Sequence, residues 1–526
     1  MTQYDEVVQA LAQPSLYPDA PTEVEHIQTH ISHLFLTPKF VYKVKKPVDF
    51  GFLDFTTLEK RLFFCQEELR LNQRTSPDVY LEVAPIRQGS AGEISFTGEG
   101  QVVEYALKMR RLPSDRSLDN LLNANKVTEE MARALGKLVG EFHMAAETSE
   151  EISAIGGPEG MQNLVAENFQ QTNPYIGRTI STQLHKKLAE YSKRFLKEHR
   201  ALMEQRVAEG RSRDCHGDLH CAQVFYTDQG VRIIDCIEFT KRFRYSDVAY
   251  DMAFMAMDLD KYDRHDLSRA YVDAWLGVTK DTGALQLLDF YKATRAYVRG
   301  KVEGFRLDDP SIPSEEKDAA AKRARSYFDL AHFYTQQHSK PKLILCAGLV
   351  GTGKSTIARY VASDSGMAAI SSDVIRKRLA GVPSTERHFD AFGAGLYTAE
   401  FSQRTYKELL RLARQYLDEG HSVVIDAAFA RRDQRELVAN LGKETGADFW
   451  SVECTATEED IKARLERRLR RGDSVSDGRW EIYLQQKASY EPITEFPHDK
   501  HIVIHTSSGS VAESVRYVLH RLGMQQ

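Results

Sequence analysis

The stretch LILCAGLVGTGKST, from Leu343 to Thr356, constrains the fold more than any other part of the chain. An apolar run of strand length meets a glycine-rich turn of the form G-x-x-x-x-G-K-[ST], and a helical pattern follows at once. Gly348, Gly351 and Gly353 let the backbone curl so that successive N–H groups point inward at phosphate oxygens. Lys354 adds a point charge, the Ser355 hydroxyl suits Mg²⁺, and Thr352 and Thr356 belong to the same phosphate-binding set. The following helix turns its positive N-terminal end toward the same anion.

Strand and helix patterns alternate through the rest of the C-terminal part. Strands are predicted over 342–347, 367–371, 422–426, 448–454 and 501–505, with helices over 354–364, 397–419, 433–445, 457–471 and 478–490. Gly420 stops the longest of these. Alternation with apolar strands predicts an α/β domain, a parallel sheet covered by helices on both faces. The N-terminal part reads as α+β and bilobal. Strand-like runs (31–36, 40–45, 80–86, 93–96, 101–110) come first, and helical patterns dominate from about 117. We divide the chain near 339, where a helical pattern from about Ser314 to Thr335 gives way to a polar segment with Pro341. The expected domains are therefore 1–339, with a sheet lobe over about 25–112 and a helical lobe over about 113–339, and 340–526.

Hydrophobic content of 42% with 28% charged residues is that of a globular protein, and a net charge of −5 argues against a chain-wide nucleic-acid surface. The cysteines at 65, 215, 221, 236, 346 and 454 make no CxxC pair and no zinc spacing, so they read as reduced thiols. With neither a signal-peptide pattern nor an apolar run long enough for a bilayer, a cytoplasmic protein without membrane contact is expected.

In ISSDVIRKRL, Asp373 follows a parallel strand, where α/β sheets place ligands. A carboxylate there can take a proton from an attacking hydroxyl, and Arg376 can grip a phosphate; a helix N-cap with a surface arginine is the plainer reading. Strand SVVID ends in Asp426, suited to Mg²⁺ or to a simple turn. IKARLERRLRRGD sets Arg464, Arg468 and Arg471 on one helix face, either closing over a nucleotide or merely solvated. In this order the segments resemble the zeta-toxin-like and gluconate-kinase-like P-loop kinases, a group that includes polynucleotide 5′-hydroxyl kinases. The resemblance covers nearly all of 341–526. It implies transfer of the ATP γ-phosphoryl to a hydroxyl, with Asp373 as base and a lid around 464–477.

The stretch RDCHGDLHCAQVF, Arg213 to Phe225, resembles the catalytic loop of another kinase class. Asp218 would accept a hydroxyl proton, with His216 bracing the loop. The strand VRIIDCIEF then brings Asp235 to chelate Mg²⁺. These residues resemble the aminoglycoside/choline-type phosphotransferases, which share the protein-kinase fold, over about 25–330. The resemblance implies that Lys43, rather than Lys45, is the ATP-binding lysine in FVYKVKKPV. Glu67 or Glu68 of LEKRLFFCQEELRL would pair with it, and we take Glu67. KMRRLP, with Met109 and Arg111, would be the hinge meeting adenine, and Asp247 and Asp251 would be structural acids. Two positions depart from the pattern. Gln223 stands where the metal-binding Asn is expected, and IQTHISHLFLT lacks glycines, leaving His30 and Ser32 over the phosphates.

Together these readings give a bifunctional enzyme with two ATP–Mg²⁺ sites and small-molecule hydroxyl acceptors, such as sugars, amino sugars or nucleosides. An RNA end is a second acceptor class for the C-terminal domain. The alternative is an active C-terminal kinase regulated by a nucleotide-binding N-terminal pseudokinase. An RNA-binding or toxin-like module is a third reading, disfavoured by the acidic balance.

Overall fold

The computed structural model describes residues 2–51, 53–310, 312–336, 340–383, 395–471 and 478–524, without the side chain of Arg471. They pack into two compact units that do not follow chain order. One comprises the chain to Leu122 with Val127–Glu167 and Arg194–Tyr291; the other comprises Asn123–Lys126, Asn168–Lys193 and everything from Lys292. The expected division near 339 falls outside the described residues.

The first unit holds a six-stranded antiparallel sheet in the order β1-β2-β3-β6-β4-β5. Its strands are β1 (Glu25–Gln28), β2 (Ser32–Leu36), β3 (Phe40–Lys45), β4 (Tyr80–Gln88), β5 (Ile94–Ser95) and β6 (Gln101–Arg110). Sequence reading missed β1 because all four of its residues are exposed, so it has no alternation to read. Helix α1 (Leu58–Asn72) starts where Thr57 Oγ1 accepts the Lys60 N–H and buries Cys65, Glu68 and Leu71.

Beyond the sheet, this unit is mainly helical, with α2 (Glu129–Ala145), α3 (Val248–Lys261) and α4 (His265–Thr279), together with the short strands β7 (Ser212–Asp214), β8 (Val224–Thr227), β9 (Gly230–Ile233) and β10 (Tyr245–Asp247). Gly136 and Gly140 let α2 approach α4 closely. A Cβ at Gly136 would lie 2.2 Å from the Tyr271 carbonyl oxygen, and one at Gly140 would lie 2.9 Å from Val278 Cβ. That approach sets His143 of α2 beside Trp275 of α4. The expected α+β character of the N-terminal part is borne out, while Asn168–Lys193 and the chain from Lys292, expected in its helical lobe, fall in the other unit.

The second unit contains a five-stranded parallel sheet in the order β12-β13-β11-β14-β15. The strands are β11 (Lys342–Ala347), β12 (Ala368–Ser371), β13 (Val423–Asp426), β14 (Asp448–Thr455) and β15 (His501–His505), each within two residues of expectation. The helices are α5 (Ser314–Tyr334), α6 (Lys354–Ser365), α7 (Ser372–Leu379), α8 (Ala399–Asp418), α9 (Arg432–Thr445), α10 (Glu458–Arg471), α11 (Trp480–Ala488) and α12 (Val511–Arg521). The α/β reading is borne out. Side chains from β11, β13, β14 and β15 form one apolar core with α6 and α12. The Phe333 ring of α5 lies 4.4 Å from His421 and 5.8 Å from Tyr416, so α5 also belongs to this unit. Among the described residues no helix is long and apolar enough to cross a membrane, and all six cysteines are free and buried.

Candidate active sites

In the first unit, Lys43 points from the middle of β3 to two carboxylates, Glu68 Oε1 at 2.7 Å and Asp235 Oδ1 at 3.0 Å. Burial alone would push the lysine down, but Asp235 and Glu68 outweigh it and hold its pKa well above the ordinary value. Glu68 is shared: its Oε2 accepts from Lys45, 2.7 Å away, and Lys45 also contacts Glu238. Burial opposes the charged form of Glu68, yet the two lysines hold it down at about 2. The partner of Lys43 is therefore Glu68. Glu67, taken from the sequence, lies on the outer face of α1 and pairs with Arg70. The two neighbours lie about 100° apart around the helix, and only one can face the sheet.

Asp235 sits just past β9 with φ of +64°, its N–H bonded to the Tyr80 hydroxyl at 3.0 Å. The Gln223 amide reaches the same carboxylate, with Nε2 3.3 Å from Oδ2. The catalytic loop hangs from Asp251 of α3, whose two oxygens accept the N–H groups of His216 (3.1 Å) and Gly217 (2.8 Å). Gly217 has φ of +86°, and a Cβ there would lie 2.9 Å from the Phe243 carbonyl oxygen, so the middle residue of HGD must be glycine. Asp251 also bonds His143, which accepts from Trp275 Nε1. His143, Cys215 and Asp251 lie close enough together to suggest a metal site. Both His143 nitrogens are already used, so the group reads as a structural brace.

Val41, Leu107 and Met109 pack with Leu34, Leu36, Leu112 and Ile234. This apolar cluster is suited to a flat base. Arg111 does not fit the hinge role: its N–H is spent on the Lys39 carbonyl and its guanidinium on Thr37 and Glu25. Ser32 is buried in β2, away from any exposed cover over phosphates, whereas His30 is exposed in the turn before it. Asp247 pairs with buried Arg206, in keeping with a structural role.

In the second unit the glycine-rich turn leaves the carboxyl end of β11, the central strand. Gly348, Gly351 and Gly353 all have positive φ, and a Cβ at Gly351 would lie 2.8 Å from Ile461 Cγ2. The register pairs Asp426 of β13 with Cys346, and Ser371 of β12 with Asp426. Asp426 and Asp373 therefore stand at the same sheet edge as Lys354 and Ser355. Burial raises the Asp426 carboxyl against the pull of Lys354 and the Ser355 hydroxyl, and its Oδ1 is buried with no hydrogen-bond partner. A buried oxygen left over beside a hydroxyl and a lysine fits a divalent cation. Arg468 is close enough for its charge to act on Asp426.

Asp373 is the second residue of α7 and caps nothing, which removes the N-cap reading. Arg376 is buried, bonding the Leu396 carbonyl (2.6 Å) and Ser402 Oγ (3.2 Å), with Tyr397 beneath it. Its Nε is buried with no hydrogen-bond partner among the described residues. Arg464 is no lid residue, because it bonds Thr506 at Oγ1 (2.8 Å) and at the carbonyl (2.7 Å) and reaches the Gly351 carbonyl (3.4 Å). The Thr352 hydroxyl turns inward to the Leu349 carbonyl. Of the expected lid, residues 472–477 and the Arg471 side chain lie outside the described residues. Sequence reading missed Thr506 and Gln486. Thr506 Oγ1 bonds the Thr352 carbonyl at 2.7 Å, and the Gln486 side chain accepts the Val350 N–H at 3.0 Å. Neither belongs to a motif; each arrives from a distant loop or helix.

Two phosphotransferase folds in one chain define the class: an ATP-dependent kinase acting on hydroxyl groups. The phosphotransferase enzyme family matches residues 67–288, and a family described as AAA domain matches 343–493. An uncharacterized protein of Mycobacterium tuberculosis is 30% identical over 455 residues, which are 86% of this chain and 88% of that one, and a Mycobacterium bovis protein matches equally. The chain belongs to the same family as these mycobacterial proteins, one that joins a phosphotransferase domain of the aminoglycoside/choline type to a P-loop kinase domain. Among solved structures, choline kinase of Cryptosporidium parvum aligns with 62% of this chain and 95% of its own at 10% identity and a TM-score of 0.39. The Mycobacterium tuberculosis APS kinase in complex with AMPPNP and APS aligns with 35% of this chain and 98% of its own at 20% identity and a TM-score of 0.27.

Proposed function

We propose that both units transfer the γ-phosphoryl of ATP to hydroxyls of small molecules. In the N-terminal site Asp218 takes the acceptor proton while Lys43, fixed by Glu68, grips the phosphates. Gln223 and Asp235 would hold Mg²⁺. In the C-terminal site the turn from Gly348 to Thr356 cradles the triphosphate, with Lys354 on the phosphates and Asp373 as the base. Ser355 and Asp426 would hold Mg²⁺, and Arg468 faces the charge that develops on transfer. Bound Mg²⁺ neutralises phosphate charge at both sites. We assign the two activities to about 1–339 and 340–526 of a cytoplasmic enzyme.

The observation that carries this reading is the contact of Lys43 with Glu68 and Asp235 together, since productive phosphoryl transfer needs all three groups assembled. The test is γ-labelled ATP with amino sugars, sugar acids, nucleosides and 5′-hydroxyl RNA, using the parent, Lys354→Ala and Asp218→Ala. Each variant should lose one set of labelled products. Loss of every product in Lys354→Ala, with ATP still bound, would instead favour a regulatory N-terminal pseudokinase. Labelled RNA alone would favour polynucleotide end chemistry.

A further inference from the structure

His216 and His220 use one device twice in the catalytic loop. The Nδ1 of His216 accepts the N–H of Asp218 at 3.3 Å, and the Nδ1 of His220 accepts the N–H of Ala222 at 3.3 Å. A backbone N–H can only donate, so each Nδ1 is the bare nitrogen and each neutral ring carries its hydrogen on Nε2. In His216 that hydrogen goes to the Ile234 carbonyl oxygen at 3.0 Å. In His220 the Nε2 stands 3.4 Å from Asp218 Oδ2.

We propose that His220 is the positioning residue for Asp218: its Nε2–H holds Oδ2, so that the other carboxylate oxygen is presented to the acceptor hydroxyl. This rests on Asp218 being the base of the N-terminal site. The ring is well placed to serve as an anchor. It is buried, its centroid lies 5.6 Å from that of Phe254 of α3, and the next residue, Cys221, has its N–H held by Asp258 Oδ2 at 2.9 Å. The Asp218 side chain is 36% exposed, so burial alone does not fix its orientation. Catalytic hydrogen bonds are often this long before substrates bind.

The test uses the full chain with Lys354→Ala, so that only the N-terminal site reports, and follows phosphate release from ATP with water as acceptor. His220→Ala should lower kcat about 10- to 100-fold, the scale set by misplacing a reacting group, with KM for ATP and the ADP Kd unchanged. His220→Gln, whose amide N–H reaches the Nε2 position, should restore most of the loss. In an Asp218→Ala background, His220→Ala should add nothing. A His220→Ala effect that persists without Asp218, or that weakens ADP binding equally, marks a loop-folding role and overturns the proposal. Full turnover in Asp218→Ala alone, or none in the parent, refutes the base assignment itself and the proposal with it.

Discussion

Lys43 and Asp235 are 192 residues apart in sequence and 3.0 Å apart in space, Nζ to Oδ1. Glu68 closes the group from the other side, so three chain segments meet on one ammonium. The Glu68 end is the costly one to break, since removing that charge leaves Lys43 and Lys45 buried with one countercharge fewer.

Glu68→Gln should therefore destabilise the protein by about 3–5 kcal/mol, the range for breaking a buried pair, and remove N-terminal turnover. Glu67→Gln, which breaks only an exposed pair with Arg70, should cost about 0.5 kcal/mol or less. Because Glu68 is held at about 2, its stabilisation is present above the ordinary carboxylate value and is lost as pH falls toward 2. Urea unfolding of both variants between pH 7 and pH 3 should show the Glu68 gap narrowing and the Glu67 gap staying small.

Gln223→Asn shortens the reach to Asp235 by one methylene. In the Lys354→Ala background it should raise N-terminal turnover or lower the Mg²⁺ concentration needed for half-maximal rate. Asp235→Ala should abolish Mg²⁺-dependent nucleotide binding at that site. A Mg²⁺ titration reads both.

At Asp426, stability and activity should move in opposite directions. Burial raises its carboxyl, so the charged form is disfavoured in the folded state and the residue stabilises the fold only at low pH. Asp426→Asn should raise the Tm of the nucleotide-free protein at pH 7, with the gain shrinking as pH falls and the native carboxyl takes up its proton. The same variant should lose C-terminal transfer, and thermal melts with paired activity assays decide.

Arg464→Met keeps the length of the side chain and removes its bonds to Thr506 and Gly351. It should raise the KM for ATP at the C-terminal site and lower stability by about 1 kcal/mol, the scale of a lost hydrogen bond between partly buried groups. Arg467→Met, on the exposed face of α10, is the control and should change neither.

Much of this was readable from local pattern. The parallel sheet, its helices and the phosphate-binding turn follow from apolar runs and glycines whose meaning is local. Glu68 against Glu67 was not, because adjacent residues on a helix with a weak apolar stripe give no sign of which faces the sheet. Arg464 was misassigned for a related reason: an arginine-rich helix looks alike whether a given guanidinium meets a nucleotide or a backbone carbonyl. Thr506 and Gln486 left no trace, since their contacts span 154 and 136 residues. The strand Glu25–Gln28 was invisible because neither of its faces is buried.

The division into compact units bears on how the chain can be cut. Asn168–Lys193 and the helix Ser314–Tyr334 lie in the first two-thirds of the sequence yet belong to the unit that carries the phosphate-binding turn. A scissor cut at residue 340 would strip that unit of Phe333, whose ring packs on His421, and expose an apolar seam. The unit that carries the phosphate-binding turn is thus not the segment from 340 onward alone. A fragment beginning at 340 should express poorly or aggregate, whereas inactivating point substitutions can silence either site inside an intact chain.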